Sequence, residues 1–571
     1  MVPLHEKLKV FMSHRWLVFV CAMWVQSFAG IAYMFGSISP IIKSTMGYNQ
    51  KQIAMLGLAK DLGDNIGFVA GKISEFSPTW CVYLVGVVHN FVGYGLVWLI
   101  VTHRFPSLPL WAVCIFIFVG TNCTPYYNTA SLVACVQSFP ENRGPVVGIL
   151  KGFVGLSGAI LTQIVAMMNT HDQASLILVI ALGPATVAAC LMFIIRPVQG
   201  FKQARASDSS SFTFIYSICL LLAAYLMGVL LVENIMVLDP NIVKLLAVIL
   251  FILVLLPAII PILLVFHLEP KRTDGETLLL EPPLQETTVD ETQIENEKPP
   301  RLQVLPVSEG PKEIVQFHAR FFQSVAQAVK KIKRKNGPRI GEDFTLTQAM
   351  AKIEFWLIFF SLVLGAGTGL TIINNMGQIC QSLGDSNANV YVSMLSISNF
   401  LGRVGGGYFS EVVVRNFAYP RLFALAVIQA IMAIGFSYYA IGLVGQLHVV
   451  TILTGLGYGA HWSIGIASAS ELFGLKNFGS LYNFLTMACP VGSLFLSGFV
   501  ASTIYDYYAE QQAKHRIQIS HTEVLLCEGK ICYSFTCGIL AGVSVVATVL
   551  SFTVVRRTKK FYAQRYANSL S

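Results

Sequence analysis

The sequence predicts an all-α polytopic membrane protein that is built from two similar halves. Its 571 residues are 54% hydrophobic and 12% charged, whereas a soluble domain carries roughly twice that charged share. Apolar runs long enough to cross a membrane recur along the whole chain. The pattern Gly-x-x-Ser-Glu ends a glycine-rich run at residues 71–75 and again at 407–411. Matching runs in two halves are typical of membrane proteins that are built from repeats.

The predicted spans form three groups. The first group lies near residues 16–40, 52–73, 79–102, 109–136, 144–168 and 174–196. The second lies near 212–235 and 242–267, and the third near 353–378, 388–411, 419–442, 447–470, 477–504 and 531–555. We therefore predict about fourteen transmembrane helices, arranged as two six-helix bundles with two additional central helices between them. The corresponding domains are residues 1–200, 201–268, a loop at 269–350, and 351–571 with its basic tail.

Lysine and arginine residues collect on one side of these predicted spans, before the first and after the fourth, sixth, tenth and fourteenth. The positive-inside rule then places both termini and residues 269–347 in the cytosol. The loop at 506–530 is an exception, because it carries basic residues on the far side. The net charge of +9 is explained by topology, and we expect no nucleic-acid partner.

The long loop has two parts. Residues 269–311 are acidic and contain several prolines, so we expect them to be disordered. Residues 312–335 carry apolar side chains at helical spacing and end in a basic cluster. This pattern predicts either an interfacial helix on anionic membrane lipid or a solvated basic helix that packs on the bundle.

Charged residues in the second span are the strongest candidates for function. Lys60, Asp61, Asp64 and Asn65 lie in the middle of a membrane segment, where ionisable residues usually face a partner or a water-filled cavity. The i, i+4 spacing predicts a pair between Lys60 and Asp64, which leaves Asp61 to exchange protons. The alternative is a closed network of ion pairs that only holds helices together.

Lys151 is a second intramembrane charge, about two turns into the fifth span. It would either bind an anionic substrate or neutralise Asp61 or Asp64 across a helix interface.

Polar residues in other spans extend the predicted pathway for substrate and protons. They are Gln26, Tyr33, Asn122, Tyr126, Asn374, His461 and Tyr482. Pro125 should interrupt the fourth span and free backbone carbonyls. His461 would either titrate or act as a neutral, hydrogen-bonded core residue.

The sequence contains no Walker loop, zinc motif or nucleophile elbow, so we predict no enzyme activity, cofactor or metal. Cys527 and Cys532 lie on the predicted far side, where they would form a disulfide in an oxidising compartment or remain free thiols.

Four segments resemble the plant nodulin-like proteins of the major facilitator superfamily, in the group of the nuclear-fusion-defective proteins. They begin at Arg15 (RWLVFVCAMWVQSFAG), Lys60 (KDLGDNIGFVAG), Arg143 (RGPVVGILKGFVGLSG) and Gly341 (GEDFTLTQAMAKIEFWLIF). The resemblance implies a major facilitator fold, in which two six-helix bundles rock about a central cavity.

The superfamily has a cytosolic signature, Gly-x-x-x-Asp followed by basic residues. Residues 407–415 fit it with Glu411 for the acid and Arg415 for the base, whereas Glu75 in the first half is followed by no basic residue. From this resemblance we expect Glu75, Arg403, Glu411 and Arg415 to act in conformational gating.

The expected function is secondary active transport of a small organic anion, such as a carboxylate, by proton-coupled alternating access. The alternative is a non-transporting sensor or scaffold that acts through its loop. Asp274, Leu278 and Leu279 form an acidic dileucine pattern that a sorting adaptor would bind, although so short a pattern also arises by chance. The expected location is the plasma membrane or a vacuolar or other internal membrane.

Overall fold

The computed structural model describes residues 4–48, 50–106, 108–168, 174–198, 206–235, 239–267, 338–384, 388–515 and 527–566. One unit comprises Met1–Leu263 with Pro338–Ser571, and a second comprises Leu264–Gly337. Only residues 264–267 of the second unit are described. The acidic segment, the basic helix and the dileucine pattern predicted within it lie outside the described residues.

The first half contains a short helix α1 (Leu4–Met12) and the helices of the predicted spans. They are α2 (Arg15–Ala29), a 3-10 turn at Ile31–Met34, α3 (Phe35–Met46), α4 (Gln50–Asn65), α5 (Phe68–Phe76), α6 (Thr79–Val101), α7 (Leu110–Thr121), α8 (Cys123–Ser138), α9 (Arg143–Met168) and α10 (Ser175–Leu191). The central helices follow as α11 (Ala206–Ile235), α12 (Pro240–Leu255) and α13 (Ile259–Ile262), with a 3-10 turn at Leu256–Ala258 and a π-helical turn at Leu263–His267.

The second half begins with α14 (Leu346–Met350). It continues with α15 (Ile353–Ser382), α16 (Ala388–Phe417), α17 (Leu422–Ile441), α18 (Gln446–Phe473), α19 (Phe478–Thr486), α20 (Ala488–Ser493), a π-helical turn at Leu494–Ala501, α21 (Ser502–His515) and α22 (Ile531–Arg565). Across the described residues, nine helical segments are long and apolar enough to cross a membrane, and α2 and α10 are shorter apolar helices. Helices also cover the predicted spans near 52–73, 144–168 and 388–411. The all-α membrane architecture is therefore confirmed.

Two spans, the fourth of the first half and the fifth of the second, are interrupted four residues before a proline. The α7 helix ends at Thr121 before Pro125, and α19 ends at Thr486 before Pro490. Proline lacks an N–H group and its ring clashes with the carbonyl four residues earlier, so the helix ends there. These interruptions are tolerated in a membrane only where the freed backbone groups are buried in protein or line a cavity.

The additional helix α11 packs against both halves. Arg15 at the start of α2 binds both carboxylate oxygens of Asp208 at 2.7 Å, and both side chains are buried. Phe212, one turn further along α11, packs against Trp16 and Phe139. On the other side of α11, the ring of Tyr216 lies 5.3 Å from that of Tyr408 on α16. The α11 helix is therefore attached to the first half by an ion pair and to the second by aromatic packing.

Candidate substrate cavity

A cavity of about 190 Å³ lies between the two halves. Its walls come from α4, α8 and α9 of the first half and from α15, α16, α18 and α19 of the second. Its charged and polar lining comprises Lys60, Asp61, Asp64, Asn65, Thr124, Asn128, Lys151, Asn374, Arg403, Tyr458, Trp462, Tyr482, Asn483 and Thr486. The two helix breaks also open onto it, through Pro125 in one half and Cys489 in the other. Discontinuous helices at such an interface are a recurrent feature of transporter binding sites.

The pairing within α4 differs from the i, i+4 pair that the sequence predicts. The ammonium group of Lys60 lies 2.5 Å from a carboxylate oxygen of Asp61, whose side chain is 52% exposed. Asp64 instead lies beside the Thr124 hydroxyl, on the inner side of α4. The long lysine side chain folds back to its neighbour because Asp64 faces α8. Asp64, and not Asp61, is therefore the carboxylate left without a paired lysine on its own helix.

Lys151 is buried and donates a hydrogen bond to the Tyr482 hydroxyl across the interface between the halves. Its ammonium group also lies 4.8 Å from the ring centre of Tyr482 and 5.5 Å from that of Trp462. Among the described residues, no carboxylate lies within ion-pairing distance of Lys151. The ion pair to Asp61 or Asp64, one of the two predicted alternatives, is not formed in this conformation.

Arg403 lies at the cavity, although we expected it to act in the gate. Its guanidinium group donates to the backbone oxygen of Lys151 at 2.6 Å and to the side chain of Asn399 at 2.9 Å. The difference arises because Arg403 is two helical turns from Glu411 along α16, which is about 12 Å. Among the described residues, three cations (Lys60, Lys151 and Arg403) and two carboxylates (Asp61 and Asp64) line the cavity, which gives this lining a formal net charge of +1.

Asn122, Gln26 and Tyr126 were predicted to line the pathway, but they are held in helix interfaces instead. Asn122 donates to the backbone oxygens of Gly63 and Ile66, both at 2.8 Å, and thereby satisfies carbonyls at the end of α4. Gln26 donates to a backbone oxygen on α8, and Tyr126 is buried against the ring of His89. None of the three lines the cavity.

His461 is also absent from the cavity lining. Its Nδ1 lies 2.7 Å from the Gly457 oxygen and its Nε2 lies 3.1 Å from Gln429. This arrangement corresponds to the second predicted alternative, a hydrogen-bonded core histidine. The side chain of Tyr33 lies outside the described part of the chain.

The two halves touch along one side of the cavity. We call this side the closed face and define it by the loops 139–142 and 474–477. Arg143 donates to the Ser470 oxygen at 2.5 Å, and Gln137 donates to the Leu475 oxygen at 3.3 Å. A methyl group added at Gly407 of α16 would lie only 2.5 Å from the backbone oxygen of Gly144 on α9. The backbones of α9 and α16 are therefore in direct contact here, and the cavity is shut on this side.

Two of the three gating residues predicted in the second half, Glu411 and Arg415, lie at the closed face. Glu411 contacts Arg415 and Arg421, each at 2.7 Å, and Arg421 also contacts Glu471 at 2.7 Å. Arg415 reaches the first half by donating to the backbone oxygen of Glu141 at 2.8 Å.

Glu75 does not join this network, since it pairs at 2.7 Å with the exposed Lys72 on its own helix. Arg421 and Glu471 also belong to this network, although neither was predicted from the sequence as a site residue. The available signal was Glu471 itself, a lone acid at the end of an apolar span.

Cys527 and Cys532 form a disulfide at the start of α22. The other end of α22 carries Tyr562, which donates to Glu471 at the closed face. Since α22 has 35 residues and a helix rises 1.5 Å per residue, the disulfide lies on the opposite side of the molecule from the closed face.

Comparison with known proteins gives matches over most of the chain. Residues 15–262 match the Nodulin-like family model, and residues 339–564 match the model described as NFD4, C-terminal domain. The Arabidopsis thaliana protein NUCLEAR FUSION DEFECTIVE 4 is 26% identical over 96% of this chain and 89% of its own length. A probable transporter MCH1 of Yarrowia lipolytica is 24% identical over 43% of this chain and 52% of its own length.

Solved structures resemble the fold at low sequence identity. A bacterial homologue of the iron transporter ferroportin, in an outward-facing state, gives a TM-score of 0.52 at 10% identity, covering 95% of this chain and all of that one. A double-tryptophan mutant of XylE gives 0.51 at 11% identity, covering 98% of this chain and 99% of that one. These likenesses establish a major facilitator fold and carry no information on the substrate.

Proposed function

We propose, from the premise that the chain belongs to the nodulin-like family of the major facilitator superfamily, that this membrane transporter carries a small organic anion together with protons. The observation that carries the proposal is the cavity between the halves, where Lys151 and Arg403 are buried and the formal charge is positive. The lining holds one more cation than carboxylates, and Lys151 meets no carboxylate among the described residues, so an anionic substrate would be favoured here.

Polar groups beside these cations support an organic anion over a bare inorganic one. The indole N–H of Trp462 and the side-chain oxygen of Asn128 are buried and have no hydrogen-bond partner within the described residues. Ring faces of Tyr482 and Trp462 flank Lys151 and offer apolar contact. A small organic carboxylate would bind the ammonium group of Lys151 and accept a hydrogen bond from Trp462, while its short carbon skeleton would pack against the two rings.

Proton coupling is assigned to the pair Asp61 and Asp64, with Asp64 favoured. Both carboxylates line the cavity with Lys151. Asp61 already contacts Lys60 and is half exposed, whereas Asp64 is partly buried and has no paired lysine on its own helix. A carboxyl that can alternate between a proton and a nearby cation couples proton movement to substrate movement.

Uptake by purified protein in lipid vesicles tests the proposal. Vesicles with an imposed proton gradient should accumulate a small carboxylate, and Asp64→Asn should abolish accumulation while allowing exchange of labelled for unlabelled carboxylate. The amide has nearly the same shape but cannot titrate. Asp61→Asn is the matched control, and equal loss in both variants would withdraw the preference for Asp64.

If wild-type protein moves no carboxylate under any gradient, the anion proposal is wrong and the alternative role as a sensor or scaffold gains support.

We also propose that the closed face and both termini are cytosolic, on the basis of the Lys and Arg distribution. A cysteine introduced at residue 310 should resist a membrane-impermeant reagent in intact cells. Labelling from outside would reverse the orientation.

A further inference from the structure

The contacts at the closed face do not explain how an anion bound in the cavity would cause the closed face to open. The charged network around Glu411 and Arg421 lies near the loops and does not line the cavity. A substrate in the cavity therefore needs a separate contact that both senses the anion and joins the halves.

Two hydrogen bonds that cross between the halves lie in the wall of the cavity. Asn483 donates to the Thr129 hydroxyl at 2.7 Å, and Lys151 donates to the Tyr482 hydroxyl. Asn483 and Tyr482 are neighbours on α19, so both bonds attach the same helix to the first half. Of these two bonds, only the one made by Lys151 contains a full charge for which a bound anion competes. Arg403 is also charged and also crosses between the halves, but it bonds the backbone oxygen of Lys151 and does not attach α19.

The backbone around Lys151 is held in place, so the side chain is the part that moves. Added methyl groups at Gly148 and Gly152 would lie 2.7 Å from the Arg403 oxygen and 2.8 Å from the Val404 side chain. Arg403 also donates to the Lys151 oxygen. Because α9 packs this closely on α16, an incoming anion reaches Lys151 by drawing its ammonium group away from Tyr482.

We infer that Tyr482 is a positioning residue that holds Lys151 in a latch between the two halves, and that the carboxylate of the substrate takes the place of the Tyr482 hydroxyl. The inference rests on the proposed transport of an anion and adds the step that links binding to opening. A carboxylate accepts a stronger hydrogen bond from an ammonium group than a neutral phenol does. Binding therefore removes one attachment of α19 to α9 and shifts the population toward opening of the closed face.

Hydrogen–deuterium exchange on the purified full chain, without any added anion, tests the latch directly. Tyr482→Phe retains the ring but loses the acceptor, so exchange in α19 and in the facing part of α9 should accelerate by roughly tenfold, the scale of one charge-assisted bond. Tyr83→Phe is the control, because its hydroxyl bonds Ser131 within the first half at 2.6 Å. Unchanged exchange in Tyr482→Phe, or equal acceleration in both variants, would overturn the latch.

Transport kinetics test the displacement step, with lactate and succinate as probes. In Tyr482→Phe the KM for a transported carboxylate should fall several-fold, because the anion no longer competes with the hydroxyl, while kcat changes less. A KM that is unchanged or raised would refute displacement. Failure of wild-type protein to take up either probe would refute the proposed function and the displacement step together, whereas the exchange data by themselves decide whether the latch exists.

Discussion

Replacement of Gly407 by alanine should drive the protein out of the conformation described here. The new Cβ would lie 2.5 Å from the Gly144 oxygen and 3.0 Å from the Gly148 Cα. Favourable contacts between such atoms begin near 3.5 Å, so α9 and α16 would have to separate by about 1 Å at this point. Overpacking of this kind costs about 1–3 kcal/mol.

This overpacking cost applies only in the closed conformation. Because α9 and α16 belong to different halves, they separate when the closed face opens and the clash is relieved. The equilibrium between closed and open should therefore shift by roughly 5-fold to 150-fold toward opening. Hydrogen–deuterium exchange should show this as faster exchange in the first turns of α9 and in the facing part of α16. Transport should slow, since the return to the closed conformation becomes unfavourable.

The same helix offers two matched controls. Gly405 has nothing within 4 Å of an added methyl group, so Gly405→Ala reports the helix propensity of alanine alone. At Gly406 the methyl group would lie 2.9 Å from the Ala460 side chain, within the second half. Gly406→Ala should therefore lower stability without favouring either conformation. If Gly405→Ala shifts exchange as much as Gly407→Ala does, the steric reasoning is wrong.

Further predictions concern stability, substrate binding and sorting. Asp208→Asn removes one partner of a buried ion pair and should lower the free energy of unfolding by about 3–5 kcal/mol, which a lower midpoint of thermal unfolding would show. Glu354→Gln, at a more exposed pair, is the control and should cost less than about 1 kcal/mol. Equal midpoints in the two variants would contradict the role of the buried pair. Lys151→Ala should raise the KM of a transported carboxylate by the equivalent of about 1–3 kcal/mol, and an unchanged KM in vesicle uptake would remove Lys151 from the site. Replacement of Leu278 and Leu279 by alanine should move a fluorescent fusion from internal membranes to the cell surface, and an unchanged distribution would show that no adaptor reads the pattern.

Local rules fixed much of the architecture before any contact was known. Apolar length alone located the helices, because a membrane span must satisfy its own backbone hydrogen bonds. Proline chemistry predicted an interruption of the fourth span at Pro125, and the structure places the helix end four residues earlier, at Thr121. The charges in the second span and at Lys151 also indicated the cavity correctly, since ionisable residues in a membrane are placed against a polar interior.

The partner of each polar side chain was decided by tertiary structure. Lys60 has two carboxylates within reach on its own helix, and only the packing of α4 against α8 turns Asp64 away from it. Asn122 binds carbonyls 59 and 56 positions earlier in the chain. Spacing along one helix carries no information on such partners, so Asn122 could not be distinguished from a cavity residue.

Arg403 and Lys151 show most clearly the difference between what local sequence predicts and what helix packing sets. The apolar run around each residue already placed it as a cation within a membrane span. Only the packing of α9 on α16 brings the guanidinium group of Arg403 to the backbone of Lys151, 252 positions away. The physical reason is that apolar length and proline act within one segment, whereas the donor or acceptor that a buried charge meets is supplied by whichever helix packs beside it.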